Sequence, residues 1–132
     1  MKSISLAEDC FWKNIPEVGG VYQIHCFKDK KYIRFNRVLG IDNEGILYIG
    51  KSVNLRDRLR MLKRSLNQKP KVSGHTFGKK YYENKKLENA FPLKSLYVSY
   101  KTTTAPKTLE TKLLNQYFAK FGEVPPMNSS KK

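Results

Sequence analysis

Acidic residues are scarce in this chain. Eleven Asp and Glu stand against 26 Lys and Arg, a formal net charge of +15. That excess goes beyond what solubility requires and predicts attraction to polyanions. It leaves several partners open: a nucleic acid to be cut, a nucleic acid merely to be bound, or a lysine-rich surface with no role. Cysteine is nearly absent too. Cys10 and Cys26 make no disulfide framework, and no Cys/His spacing suggests zinc. No apolar run approaches the roughly 20 residues of a membrane span. The stretch from Met1 to Asp9 lacks the apolar core of a signal peptide. These absences point away from membranes and towards a reducing, intracellular setting, the cytoplasm. Internal repeats and low-complexity segments are missing as well.

What is present is enough for one core. The 132 residues include seven Phe, eight Tyr and one Trp, which argues against disorder. Residues 1–132 read as a single domain with a frayed tail at 129–132. Residues 20–27 are rich in β-formers and read as a strand with Tyr22, Ile24 and Cys26 on one face. Residues 32–39 look extended, and Asp42-Asn43-Glu44-Gly45 is turn chemistry. Ile46 to Gly50 reads as a short strand and a hairpin partner for 32–39. Residues 54–68 predict a helix with Asn54 as N-cap and Leu55, Leu59, Leu62 and Leu66 on one stripe. A weaker, basic helix is expected over 76–90, a strand over Leu93 to Tyr100, and a helix over 106–121 with Pro106 in its first turn and Gly122 beyond its end. The fold class is therefore α+β: a small antiparallel sheet flanked by helices.

Two residues sit oddly on these patterns. Arg58 lies on the shoulder of the leucine stripe, so it either points towards the sheet or packs its stem and snorkels outward. Glu110 falls inside the apolar arc of Leu109, Leu113, Leu114, Tyr117, Phe118 and Phe121. A carboxylate there must be paired, protonated or bound to a cation. It lies about two positions too late for a capping box. Metal ligation or catalysis is favoured over an ion pair with Lys107 or Arg58. Tyr22 and Tyr48 are consistent with packing, but each adjoins a strand glycine, which often marks close backbone approach. Lys51 could meet a phosphate. His75 reads as a helix-capping residue, with proton transfer the alternative. Asn128, after Pro125-Pro126, either orients a polar group or forms a turn.

In combination these residues resemble the GIY-YIG nuclease superfamily. Gly20-Val21-Tyr22 is similar to its first motif and Tyr48-Ile49-Gly50 to its second. The run from Lys51 to Leu59 resembles the continuation that carries an arginine, here Arg58. Leu109-Glu110 on a late helix resembles the metal-binding glutamate, and Pro125-Pro126-Met127-Asn128 the closing asparagine segment. The resemblance covers about residues 19–128. Tyr22 and Tyr48 are further apart than in repair and homing members, so residues 28–45 read as an insertion.

The resemblance implies a DNA endonuclease with Mg²⁺ or Mn²⁺ held by Glu110. It implies Tyr22 as general base or water-positioning group, Tyr48 in support, Arg58 on the transition-state charge and Asn128 as an orienting residue. Lys51, Arg56, Arg60, Lys63, Arg64, Lys79 and Lys80 would track the DNA backbone, joined by Lys85 and Lys86. RNA is the less favoured polymer, and no small-molecule cofactor is implied. The alternative is a binding module of the same fold that has lost cleavage or needs a partner to cut. A basic structural protein of a ribonucleoprotein is the third reading.

Overall fold

A computed structural model describes residues 3–67 and 76–129. Among these the architecture is α+β. The strands are β1 (Ser3–Ser5), β2 (Gly20–Lys28), β3 (Lys31–Tyr32), β4 (Phe35–Arg37), β5 (Gly40–Asp42), β6 (Ile46–Ser52) and β7 (Leu96–Thr102). The helices are α1 (Leu55–Asn67), α2 (Thr76–Glu83), α3 (Lys85–Ala90) and α4 (Pro106–Phe121). No helix among the described residues is long and apolar enough to cross a membrane.

β2 is the central strand. It pairs antiparallel with β7 on one side, and with β6 and then β3 on the other; β1 extends the sheet beyond β7. Alternation along β2 feeds two cores. Tyr22, Ile24 and Cys26 face α1 and α2, where Leu55, Leu59, Leu62, Leu66, Phe77 and Tyr81 are buried. Val21 faces α4, with Ile46, Ile49, Leu114, Tyr117 and Phe121. A sheet covered on both faces explains why β2 is buried almost throughout rather than on alternate residues.

The expected helix ends hold. Asn54 Oδ1 accepts the Asp57 N–H at 3.2 Å at the start of α1. Pro106 opens α4, and Gly122 follows its last residue. Three expectations change. Ile46–Gly50 does not pair with 32–39: β6 lies against β2, while β4 and β5 pair with each other in a separate two-stranded sheet. The weak helix over 76–90 breaks at Asn84, whose side chain accepts from the Lys86 N–H and so caps α3. Residues before Gly20, for which no element was expected, form β1 and a 3₁₀ turn at Phe11–Asn14.

The 28–45 segment ends in a tight anchor. Asp42 is buried, and its carboxylate accepts the backbone N–H groups of Glu44, Gly45 and Ile46. Gly45 takes φ +61°, which favours glycine. Tyr117 on α4 donates to the same carboxylate at 2.8 Å. Nearby, Arg37 pairs with Glu123 at 2.9 Å, and the Leu39 N–H bonds the Phe121 carbonyl. This segment thus grips the C-terminal end of α4.

Candidate active site

The two tyrosine motifs meet because β2 and β6 are neighbours in register. Tyr22 stands opposite Gly50 on β6 and opposite Tyr100 on β7. The Tyr22 ring lies across Gly50: a Cβ at position 50 would come within 2.6 Å of it and 2.8 Å of the Tyr48 ring. Only glycine leaves room for both phenols at this point. Their ring centroids are 6.2 Å apart, and Tyr48 in turn meets Phe77 of α2 at 5.6 Å.

Arg58 reaches the phenols from α1. It hydrogen-bonds Tyr22, and Tyr22 hydrogen-bonds Tyr48. Of the two readings of Arg58, the sheet-facing one describes the structure. Access distinguishes the two phenols. Tyr22 is 0 % exposed, whereas Tyr48 is half-buried. Tyr48 is the phenol nearer to solvent, and Tyr22 lies behind it.

Burial pushes the Tyr22 hydroxyl far above the ordinary phenol range; the Tyr48 phenol adds to this, and Arg58 opposes it. Tyr48 is raised by burial as well, against the pull of Arg58. The carboxylate of Glu110 raises both, which places it within electrostatic reach of the pair. Tyr81 is pushed up to about 12 by burial, and Tyr117 higher still by burial and its bond to Asp42. A phenol whose folded pKa stands above its unfolded value stabilises the fold fully below that unfolded value, near 10, and loses the contribution as pH rises further. At pH 10, absorbance titration of the folded protein is therefore expected to find Tyr22, Tyr81 and Tyr117 still protonated, with stability to denaturant falling above that pH. Full ionisation of every tyrosine near pH 10 with the fold intact would contradict this.

Glu110 is buried at 5 % exposure. Its nearest cation is Lys51, with Nζ 3.8 Å from Oε1. Among the described residues Oε1 has no hydrogen-bond partner. Lys51 follows Gly50 directly, and its register partner Val21 faces α4, which brings the lysine to the helix that carries Glu110. Beside this pair opens a groove of about 340 Å³ lined by Lys51, Ser52, Val53, Pro106 and Lys107. No group of three or more His, Cys, Asp or Glu able to hold a metal exists among the described residues. A divalent cation here would rest on the Glu110 carboxylate alone, with phosphate oxygens and water completing its shell. That is the habit of Mg²⁺, so the orphaned buried oxygen fits the group.

Asn128 does not turn its amide to open space. Its Oδ1 accepts the Ile49 N–H at 2.9 Å, and its Nδ2 donates to the Ile49 carbonyl at 3.0 Å. With the Met127 N–H on the Leu47 carbonyl, the C-terminal segment runs along the outer edge of β6 and satisfies it. Asn128 therefore positions the strand that carries Tyr48 and Gly50.

No family model, curated protein or solved structure matches the chain.

The expected DNA-tracking residues divide. Arg64 and Lys79 are exposed. Arg60 is exposed and pairs with Asp57. Arg56 is partly held, its Nε donating to the Ile15 carbonyl. Lys80 donates to the Met127 carbonyl and Ser129. Lys63 is a correction. It is 8 % exposed and donates to the Leu6 carbonyl, and burial lowers its pKa. On the helix it adjoins the leucine stripe, and the N-terminal segment, which carries no periodic signal, covers that flank. His25 is buried, with one ring nitrogen on the Glu44 carbonyl and the other on Ser99 Oγ, both at 3.0 Å. His75 lies outside the described residues. Tyr100, beside Tyr22 on β7, was legible only as one member of an alternating strand.

Proposed function

We propose that this chain is a divalent-metal-dependent endonuclease of the GIY-YIG type that hydrolyses DNA phosphodiester bonds. The observation that carries the reading is Glu110: a buried carboxylate whose Oε1 makes no hydrogen bond among the described residues, within electrostatic reach of the two phenols that Arg58 serves. A chain that only bound nucleic acid would gain nothing from holding that charge on an apolar helix face. The order of the motif residues along the sequence supports the same reading, as does the net charge of +15.

The roles follow from access and chemistry. Tyr48, the phenol nearer to solvent, orients the attacking water through its oxygen. Tyr22 donates to Tyr48 from behind and fixes its direction. Both phenols are neutral near pH 7, so they position the water rather than carry a standing negative charge. Arg58 offers further guanidinium N–H groups to the phosphate oxygens as charge gathers there. With Mg²⁺ or Mn²⁺ on Glu110, the charge growing on the leaving oxygen is offset. Lys51 and Lys107, lining the groove, meet the phosphate backbone, while Arg60, Arg64 and Lys79 extend the contact.

Cleavage tests the reading. Supercoiled plasmid, single-stranded and branched DNA incubated with the protein in Mg²⁺ or Mn²⁺ are expected to be nicked or cut, and a chelator is expected to stop the reaction. If every DNA form stays intact in both metals while salt-sensitive binding persists, the binding-module reading takes its place.

A further inference from the structure

We propose that Lys51 is a resident counter-cation for Glu110, one that holds the metal position until a phosphodiester arrives to take the lysine. The inference rests on the nuclease reading and adds its regulation: metal binding is conditional on substrate.

Four observations converge on Lys51. Glu110 is buried, so its carboxylate has no ready access to bulk water as a substitute for a cation. Lys51 is the cation that meets it, yet at 3.8 Å the contact compensates charge without making a hydrogen bond. Oε1 keeps its lone pairs unused among the described residues. The pair is also lopsided: the Lys51 side chain is 36 % exposed, against 7 % for Glu110. A four-carbon stem anchored on β6 with a partly solvated head can swing, while the carboxylate on α4 stays in place. The direction of that swing is set by the groove, which Lys51 lines together with Ser52, Val53, Pro106 and Lys107. A phosphate entering there would draw the ammonium off Glu110 and leave the carboxylate to the metal.

Before that exchange, a metal ion must displace Lys51 unaided, against like-charge repulsion. After it, one negative group has taken the lysine and another the metal. The two binding events then favour each other by the same factor in either order. An enzyme so arranged would carry little metal when no DNA is present.

The test uses metal alone as the probe. Mn²⁺ is titrated into the DNA-free protein and the free ion is followed by electron paramagnetic resonance. Lys51→Met keeps most of the stem and removes the charge, and it is expected to bind Mn²⁺ about fivefold more tightly than the parent, the scale of a partly solvated ion pair. Lys51→Ala should show the same gain, guarding against an effect peculiar to methionine. Adding Glu110→Gln to either variant should erase the gain, and Lys112→Ala, at an exposed lysine of the same helix, should not produce it. Equal or weaker Mn²⁺ binding by both Lys51 variants, with binding still dependent on Glu110, overturns this proposal and leaves the nuclease reading standing. If neither the parent nor the Lys51 variants bind Mn²⁺ above the Glu110→Gln background, the metal site itself fails, and the proposal with it.

Discussion

Glu110→Gln is expected to slow metal-dependent cleavage by about a thousandfold or more while leaving the protein folded. A metal that offsets transition-state charge is worth several kcal/mol, and each 1.36 kcal/mol is a factor of ten in rate. Glutamine has nearly the same shape, so the packing of α4 against Val21 and Ile49 is kept. What it loses is the negative charge that holds a cation. Stability should move the other way. A buried carboxylate with one oxygen that makes no hydrogen bond among the described residues, and a lysine only at ion-pair distance, is a net cost to the fold. Glu110→Gln should therefore be neutral or slightly stabilising, and Glu110→Leu, which continues the apolar arc, should raise stability by about 1 kcal/mol. The measurements are initial cleavage rates and denaturant midpoints on the same preparations. Opposite signs in rate and stability mark a residue retained for chemistry. If Glu110→Gln instead lost more than about 1 kcal/mol of stability and kept full activity, Glu110 would be the anchor of a structural pair with Lys51.

The site was legible in the sequence where a local pattern carried it. Arg58 could be placed on the shoulder of the leucine stripe because α-helical spacing fixes its angle to Leu55 and Leu62; whether it turned to the sheet or outward stayed open, and the structure brings it to Tyr22. Glu110 stood out for the same reason, as a charge on an apolar arc. Gly50 marked a close approach, and the object that approaches is the Tyr22 ring. What could not be read was which elements become neighbours. β6 was expected to fold back on the preceding extended stretch, the shortest connection available. It pairs with β2 instead, with a bulge at Leu47, where Ile24 faces Tyr48 but His25 faces Ile46. No residue between 28 and 45 announces that choice, because pairing is decided by the burial of both faces of β2. The order of the phenols is equally non-local. Tyr22 is covered because β2 is the central strand beneath α1, and Tyr48 remains half-open because it lies one strand nearer the edge, against Phe77. Lys63 shows the converse case. It reads as one of the basic residues away from the leucine stripe, and the segment around Leu6 that covers it carries no periodic signal. The break at Asn84 had a signal, an asparagine with good N-cap chemistry inside a weak helix, and the structure uses it.

The largest loss of stability is expected from Asp42→Ala, which should destabilise the fold by about 3–4 kcal/mol. Asp42 is 1 % exposed, and its two oxygens accept four hydrogen bonds. Oδ1 takes the N–H groups of Glu44 and Gly45 at 2.9 and 3.2 Å. Oδ2 takes the Ile46 N–H at 3.1 Å and the Tyr117 hydroxyl at 2.8 Å. Alanine removes every acceptor at once and leaves buried donors behind, each costing about 1–3 kcal/mol if no water reaches it. For a domain of this size that is a large part of the total stability, about 5–15 kcal/mol, and corresponds to a fall in melting temperature on the order of 10 °C or more. The series has a definite order. Asp42→Asn keeps one acceptor oxygen but turns an NH₂ towards donors, so it should lie between alanine and the parent. Tyr117→Phe removes one bond and leaves the carboxylate with its three backbone donors, so about 1 kcal/mol is expected. The damage should also reach the candidate site in a graded way. Asp42 ties the start of β6 to α4, and those two elements carry Tyr48 and Glu110. At temperatures where Asp42→Ala is still folded, its cleavage rate should fall far less than that of Glu110→Gln, because the chemistry is intact and only its alignment is loosened. A loss below about 1 kcal/mol for Asp42→Ala would mean that solvent satisfies the turn, and that the 28–45 segment is held to α4 chiefly by Arg37, Glu123 and the Leu39 backbone bond.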